Sequence, residues 1–104
     1  MKPKSFTQQV IECLERDPRV IVWRQNIGKK GRRVGHGKIG GADITGIVFG
    51  SGKRLEVECK QGKDKQNTDQ KAFEEFITLS GGIYILCDDL ATLPLKLDKA
   101  LQKR

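Results

Sequence analysis

The stretch ADITGIVFGSGKRLEVECK, which occupies residues 42–60, decides the fold. Its two halves are rich in apolar and β-branched residues, and the glycines and serine between them at residues 50–53 are typical of a tight turn. Residues 54–60 alternate strictly between apolar and charged side chains, which is the pattern of a β-strand. We therefore predict a β-hairpin with strands over residues 42–49 and 54–60.

The segments before this hairpin predict one helix and one strand. Apolar residues at helical spacing indicate an amphipathic helix over residues 5–16, for which Ser5 is the natural N-cap. The β-branched and aromatic run at residues 20–23 predicts a strand that leads into a glycine-rich loop over residues 26–41.

The segments after the hairpin predict a second helix and a last core strand. The helix is expected to begin at Asn67 or Thr68 and to end near Leu79, and a strand follows over residues 82–87. The inner face of this helix is predicted to carry Ala72, Phe73, Phe76 and Ile77. Beyond it we predict only a short strand near Leu95 and a basic helical tail from Asp98. The order α-β-β-β-α-β indicates an α/β (α+β) fold in which helices flank a central mixed sheet.

Length and composition predict a single domain over residues 1–104, with 37% hydrophobic and 32% charged residues. No apolar run reaches the roughly 18 residues that cross a bilayer, and no signal-peptide core follows the N-terminus. We therefore expect an intracellular, cytoplasmic protein without a membrane partner. Cys13, Cys59 and Cys87 are odd in number and lie in apolar patterns, which favours buried thiols over a disulfide or a zinc site.

The net charge of +7 is concentrated in a basic block between residues 24 and 38, where no acidic residue occurs. Such a block indicates a polyanionic partner, although a solvated charged loop is an equally good explanation of the charge alone. The candidate DNA-binding residues in and beyond this block are Arg24, Lys29, Lys30, Arg32, Arg33, His36, Lys38, Lys63, Lys65 and Lys71.

Three charged residues of the hairpin form a candidate catalytic group. Alternation places Glu58 and Lys60 on one face of their strand, together with Glu56, which we leave outside the catalytic set. The hairpin brings Asp43 back toward residues 58–60. Two carboxylates, with the backbone carbonyl of Cys59, are ligands suited to Mg²⁺ or Mn²⁺, and a lysine can stabilise charge on a phosphate.

Alternation alone has a simpler explanation, which is a half-exposed strand whose outer face is polar. Gln70 favours the catalytic interpretation, because it lies on or beside the apolar face of its helix and there needs a hydrogen-bonding partner. A helix packed over the hairpin would direct this amide toward Glu58 and Lys60.

These motifs, in this order, resemble the VRR-NUC branch of the PD-(D/E)xK nucleases, whose pattern is GxPD, ExK and a glutamine on a helix. The matching residues are Gly40 to Asp43, Glu58 to Lys60, and Gln70, and the likeness covers residues 5–87. It implies a restriction-endonuclease-like core with Asp43 and Glu58 as metal ligands, Lys60 as catalytic lysine and Gln70 as a supporting residue. Relatives of this size are often viral and resemble homodimeric resolvases of four-way DNA junctions.

Two departures from the family pattern concern the metal site. Ala42 stands where relatives have proline, and this change should be tolerated because the proline shapes the backbone. Many relatives also place a glutamate on the first helix, whereas Thr7 or Gln8 occupies that position here. Glu12 and Glu15 are predicted on another helical face, so we expect a metal site with fewer ligands.

The sequence leaves two functions open. The first is a Mg²⁺-dependent endonuclease that cuts structured or branched DNA as a homodimer, in the manner of a Holliday-junction resolvase. The second is a basic module that binds nucleic acid without cutting it. A dimer could use an apolar patch on the first helix and the C-terminal leucines, but these leucines could equally pack on the chain's own sheet. They are Leu90, Leu93, Leu95, Leu97 and Leu101.

Overall fold

The computed structural model describes residues 3–25 and 41–102, which form a four-stranded mixed sheet flanked by helices. The predicted fold class is confirmed, and the helical tail predicted from Asp98 is part of a longer C-terminal helix that begins at Leu93. In chain order the elements are α1 (Phe6–Glu15), β1 (Val20–Arg24), β2 (Ile44–Val48), β3 (Arg54–Cys59), α2 (Thr68–Leu79), β4 (Ile83–Cys87), a 3₁₀ turn (Leu90–Thr92) and α3 (Leu93–Gln102).

The strands lie in the order β1-β2-β3-β4, so β3 is a central strand. β2 pairs antiparallel with both β1 and β3, while β3 and β4 pair in parallel through the crossover helix α2. The predicted hairpin is confirmed, with Ile44 opposite Val57 and Ile47 opposite Arg54. Its turn contains Gly50 and Gly52 at positive φ, a conformation that glycine adopts without steric cost.

The hydrophobic core lies on one face of the sheet, beneath α1 and α3. On β3 this face is formed by Leu55 and Val57, because alternate strand residues share a face. Burial of these side chains is the main contribution to stability, at about 25 cal/mol per Å² of apolar surface. The buried residues of this core are Val10, Ile11, Leu14, Val20, Val22, Ile44, Leu55, Val57, Ile85, Cys87, Leu93 and Leu97.

Both predicted helix caps are present. The Ser5 hydroxyl accepts a hydrogen bond from the backbone N–H of Gln8 at 3.1 Å. Asn67 caps α2 through a reciprocal capping box with Gln70. These two helices begin where the sequence predicted because the signals are local to each helix terminus.

The prediction of a strand near Leu95 is wrong. Residues 93–102 form α3, which begins five residues before the predicted tail, and Pro94 is tolerated because it lies in the first turn. Leu93 and Leu97 are one helical turn apart and are buried in the core, whereas Leu95 is exposed. The spacing of Leu93 and Leu97 by four residues places both on one face of the helix, and this face packs against the core.

The predicted inner face of α2 is only partly correct. Ile77 is buried and Phe73 half-buried, but Ala72 and Phe76 are exposed. The helix is rotated so that the row Gln70, Phe73 and Ile77, with spacings of three and four, lies toward the sheet.

α2 lies on the second face of the sheet, where it packs against β4. On β1 and β2 the same face presents Ile21, Trp23 and Ile47, which are 59%, 47% and 45% exposed. Within the two described ranges, no helix is long and apolar enough to cross a membrane.

Candidate active site

Asp43 and Glu58 lie next to each other at one end of the hairpin. The β2–β3 register pairs Ile44 with Val57, and its continuation by one residue brings Asp43 opposite Glu58. The backbone N–H of Cys59 donates to Asp43 Oδ2 at 2.9 Å, which fixes the position of this carboxylate. The convergence predicted from the hairpin is therefore present.

Glu58 is a buried carboxylate, with only 3% of the residue exposed. Gln70 Nε2 donates to its Oε2 at 3.1 Å, and Lys60 Nζ lies 3.6 Å from the same oxygen. Among the residues that the structure describes, no N–H or hydroxyl group donates to its other oxygen, Oε1, which is buried, and the neighbouring Asp43 carboxyl can share a hydrogen bond with Glu58 only when one of the two is protonated. A buried oxygen without such a donor is costly, and it suggests a ligand at this position.

The pKa of Glu58 is raised to about 7, chiefly by burial and then by the negative charge of Asp43 and a side-chain hydrogen bond with it. The nearby Lys60 ammonium acts in the opposite direction. The ionised pair of carboxylates is therefore unfavourable in the protein alone, and a cation bound to both would remove the repulsion between them.

The amide of Gln70 has a defined orientation. Its Oε1 accepts from the backbone N–H of Asn67 at 2.9 Å, and the Asn67 side chain accepts from the backbone N–H of Gln70 at 2.8 Å. An N–H can only donate, so the Gln70 oxygen must face Asn67 and its NH₂ group must face Glu58. The cap of α2 thus holds the glutamine that supports Glu58.

Lys60 immediately follows β3 and retains a place in the sheet, because its N–H donates to the carbonyl of Cys87 at 2.9 Å. Its side chain is only 17% exposed. The N–H and C=O of one strand residue point to the same side, so the Cys59 carbonyl is directed toward Asp43, to which the Cys59 N–H donates.

Glu56 is buried, contrary to the alternative of a half-exposed strand. It is 2% exposed, and its Oε2 accepts from the Thr45 hydroxyl and from Arg54 Nε at 2.8 Å. The burial of Glu56 could not be predicted from alternation, which does not show which sheet faces are covered. The hairpin register could have indicated it, because this register pairs Glu56 with Thr45, whose hydroxyl can donate to a carboxylate.

The first helix supplies no carboxylate to the two acids. Thr7 lies against the Cys59 thiol, whose pKa is raised to about 12 chiefly by burial. Gln8 donates to Glu12 Oε2 at 3.2 Å and accepts from Arg24 Nη2 at 3.4 Å. Glu12 thus interacts with Gln8 of its own helix and with Lys4 Nζ, which lies 2.7 Å from its Oε1.

The candidate DNA-binding residues that the structure describes are exposed, namely Arg24, Lys63, Lys65 and Lys71. Lys63 and Lys65 belong to the loop between Lys60 and α2, and Lys71 follows Gln70 in the first turn of α2. The remaining candidates lie outside the described residues: Lys29, Lys30, Arg32, Arg33, His36 and Lys38.

The cysteines are free thiols, with Cys87 buried and the other two half-buried. In residues 3–25 and 41–102, no group of three or more His, Cys, Asp or Glu side chains is arranged to hold a metal ion. Asp43 and Glu58 are a pair of neighbouring carboxylates that could hold a cation together with the Cys59 carbonyl and water. Mg²⁺ suits such a set, since it commonly keeps several waters and binds one or two carboxylates.

A cavity of about 680 Å³ lies away from Asp43 and Glu58, between α1 and the 3₁₀ turn that leads into α3. Its lining includes Glu12 and Cys13 but none of the four residues of the predicted site. The chemistry of the side chains, and not cavity size, identifies the candidate site.

Comparisons with known protein families, with curated proteins and with solved structures found no match.

Proposed function

We propose that this protein is a Mg²⁺-dependent DNA endonuclease of the VRR-NUC branch of the PD-(D/E)xK nucleases. The observation that carries the proposal is the pair of neighbouring carboxyl groups of Asp43 and Glu58, in which the buried Glu58 Oε1 has no N–H or hydroxyl donor in the described part of the chain. This oxygen lies in a carboxylate that opposes Asp43 and contacts Lys60 and Gln70 through its other oxygen. A divalent cation supplies the missing partner.

Each residue has a separate role in this proposal. Asp43 Oδ1, Glu58 Oε1 and the Cys59 carbonyl would hold Mg²⁺ or Mn²⁺, which when bound lowers the pKa of a water and neutralises phosphate charge. The Lys60 ammonium stabilises negative charge that develops on the phosphoryl oxygens. Gln70 is a positioning residue, since its hydrogen bond orients Glu58.

The proposed substrate is branched or structured DNA, cut by a homodimer with two symmetric active sites. Resolution of a four-way junction needs two nicks, and one centre in an 11.7 kDa chain makes one cut per encounter. A two-fold dimer presents both sites at once.

The proposal is tested by incubation of the protein with labelled four-way junction, flap, duplex and single-stranded DNA. We expect cleavage of the junction or flap with Mg²⁺ or Mn²⁺ and none with EDTA. Binding of these DNAs without cleavage under every metal condition would instead identify a non-cutting nucleic-acid-binding module.

The variants Asp43→Asn, Glu58→Gln and Lys60→Ala should each reduce cleavage by at least about a hundredfold, because they remove a metal ligand or the charged group. Rates are measured on the DNA that the wild type cleaves, and circular dichroism checks folding. Glu75→Gln is the matched control, since it removes an exposed carboxylate of α2 and should leave the rate unchanged. A near-normal rate for any one of the three would remove that residue from the site.

A further inference from the structure

A second cavity, of about 230 Å³, lies on the sheet face that carries Glu58. Its lining includes Gln25 and Gly41, which flank Asp43: the Gln25 N–H donates to the Asp43 carbonyl at 2.8 Å, and Gly41 precedes Asp43 by two residues. Glu56, two residues before Glu58 on β3, also lines it. Such residues are about 7 Å apart along a strand, so the cavity adjoins the candidate metal site.

The walls of this cavity combine aromatic surface with paired charges. Phe73 and Phe76 of α2 supply aromatic rings, and Phe76 is 59% exposed. Glu56 and Arg54 form an ion pair at 2.8 Å that also lines the cavity. Among the described residues, both donors to the Glu56 carboxylate bind Oε2, which leaves Oε1 as an acceptor.

A nucleobase matches this lining. A flat aromatic ring can stack on phenylalanine, and its exocyclic amino group can donate to a carboxylate, as the amino group of cytosine does to glutamate. Arg54 compensates the charge of Glu56, so this pair of lining residues does not strongly repel a polyanion.

We propose that this cavity binds an unpaired nucleobase of the DNA, on a nucleotide next to the phosphate that is cut. The inference rests on the proposed nuclease function, because it takes the scissile phosphate to lie at Asp43 and Glu58. It gives a reason for a preference for branched DNA, since paired and stacked bases are not available to enter a cavity beside the backbone.

The test is the binding of branched DNAs that carry one unpaired nucleotide at the branch point, either cytosine or an abasic site. Affinity is measured by fluorescence anisotropy in EDTA, so that no metal-dependent cleavage occurs. We expect the wild type to bind the cytosine form at least about fivefold more tightly than the abasic form, since stacking of one base contributes measurably to affinity.

Phe76→Ala should reduce this ratio toward one, and Phe76→Tyr should restore it because tyrosine keeps the ring. Leu79→Ala is the matched control on the same helix, since Leu79 is 80% exposed and does not line the cavity. It should retain the wild-type ratio. A ratio near one for the wild type, or an unchanged ratio for Phe76→Ala, would overturn the inference.

Cleavage of the same DNAs with Mg²⁺ separates this inference from the proposed function. A protein that cleaves but does not distinguish cytosine from the abasic site keeps the nuclease function and loses the base-binding cavity. A protein with a Phe76-dependent ratio and no cleavage keeps the cavity and loses the nuclease function. Failure to bind any of these DNAs overturns both.

Discussion

Glu58 illustrates how one residue can be placed at the expense of folding stability. Its carboxylate is buried beside Asp43, and its pKa is raised to about 7. A hydrophobic or amide side chain at this position would avoid the desolvation of a charge. Binding of a cation would offset the cost of burying this acid, and groups with strongly shifted pKa values are common at functional sites.

A pH-dependent stability follows from this shift. Because the folded protein holds the Glu58 proton up to about pH 7 and the unfolded chain releases it near 4.5, wild-type stability falls relative to Glu58→Gln across that interval. Without metal, the advantage of Glu58→Gln in the free energy of unfolding should grow by roughly 1–3 kcal/mol between pH 5 and pH 8.

Urea denaturation of both proteins in EDTA measures this difference, and other titrating groups cancel in the comparison. Addition of Mg²⁺ at pH 8 should narrow the gap, because the ion stabilises only a folded protein with an intact site. A gap that is the same at pH 5 and pH 8 would show that the Glu58 proton is not linked to folding.

At the scale of elements, the first turn of α2 both stabilises the start of the helix and contacts the candidate site. The capping box between Asn67 and Gln70 begins the helix, and the same Gln70 amide holds Glu58. Substitution of Asn67 can separate the two roles. The Gln70 oxygen accepts from the backbone N–H of residue 67, and every residue except proline has this N–H, so the Gln70 amide should keep its orientation without the Asn67 side chain.

Asn67→Ala should destabilise the protein by about 1 kcal/mol, which is the usual effect of removing an N-cap, and leave the cleavage rate per folded molecule nearly unchanged. Gln70→Leu should show a similar decrease in stability and at least about a tenfold slower rate, because Glu58 loses its donor. Urea denaturation and single-turnover cleavage measure the two effects. Equal rates for the two variants would assign Gln70 to the cap alone.

The elements that could be predicted are those whose signals are local. The hairpin, the Ser5 cap and the start of α2 follow from turn residues and cap residues within a few positions. The helical tail was predicted from Asp98, but the start of α3 at Leu93 could not be placed, because Leu93 and Leu97 pack against a sheet that is assembled from distant segments.

The candidate site likewise contains residues that local signals predicted and one whose surroundings they did not predict. Asp43, Glu58 and Lys60 belong to one hairpin, so their approach follows from its register. The burial of Glu56 and its bonds to Thr45 and Arg54 depend on a covered sheet face, which the alternation of β3 does not reveal.

At the scale of the whole molecule, the proposed contact with DNA includes three exposed lysines near the candidate site in sequence, Lys63 and Lys65 in the loop after Lys60 and Lys71 in the first turn of α2. The triple variant in which all three become alanine should flatten the slope of log affinity against log salt on duplex DNA, by about 0.9 for each phosphate that is no longer neutralised. Lys53→Ala with Lys99→Ala is the control, since these exposed lysines lie in the hairpin turn and on α3. An unchanged slope in the triple variant would assign these lysines to solvent.

The proposed dimer cannot use the complete leucine patch that the sequence suggested. Leu93 and Leu97 are 0% and 2% exposed and belong to the core of their own chain. The expected solution mass is still twice 11.7 kDa, because two symmetric cuts require two centres. Sedimentation equilibrium over a range of concentrations measures it, and a mass of 11.7 kDa throughout would favour a monomer that nicks one strand at a time.

The hairpin turn at residues 49–53 lies at the opposite end of β2 and β3 from Asp43 and Glu58. About five residues of strand separate the two ends, or roughly 17 Å. Exposed turns of this kind accept inserted sequence with little effect on the remainder of a domain. A fluorophore or an affinity peptide placed there would report on or immobilise the protein without obstructing its carboxylates.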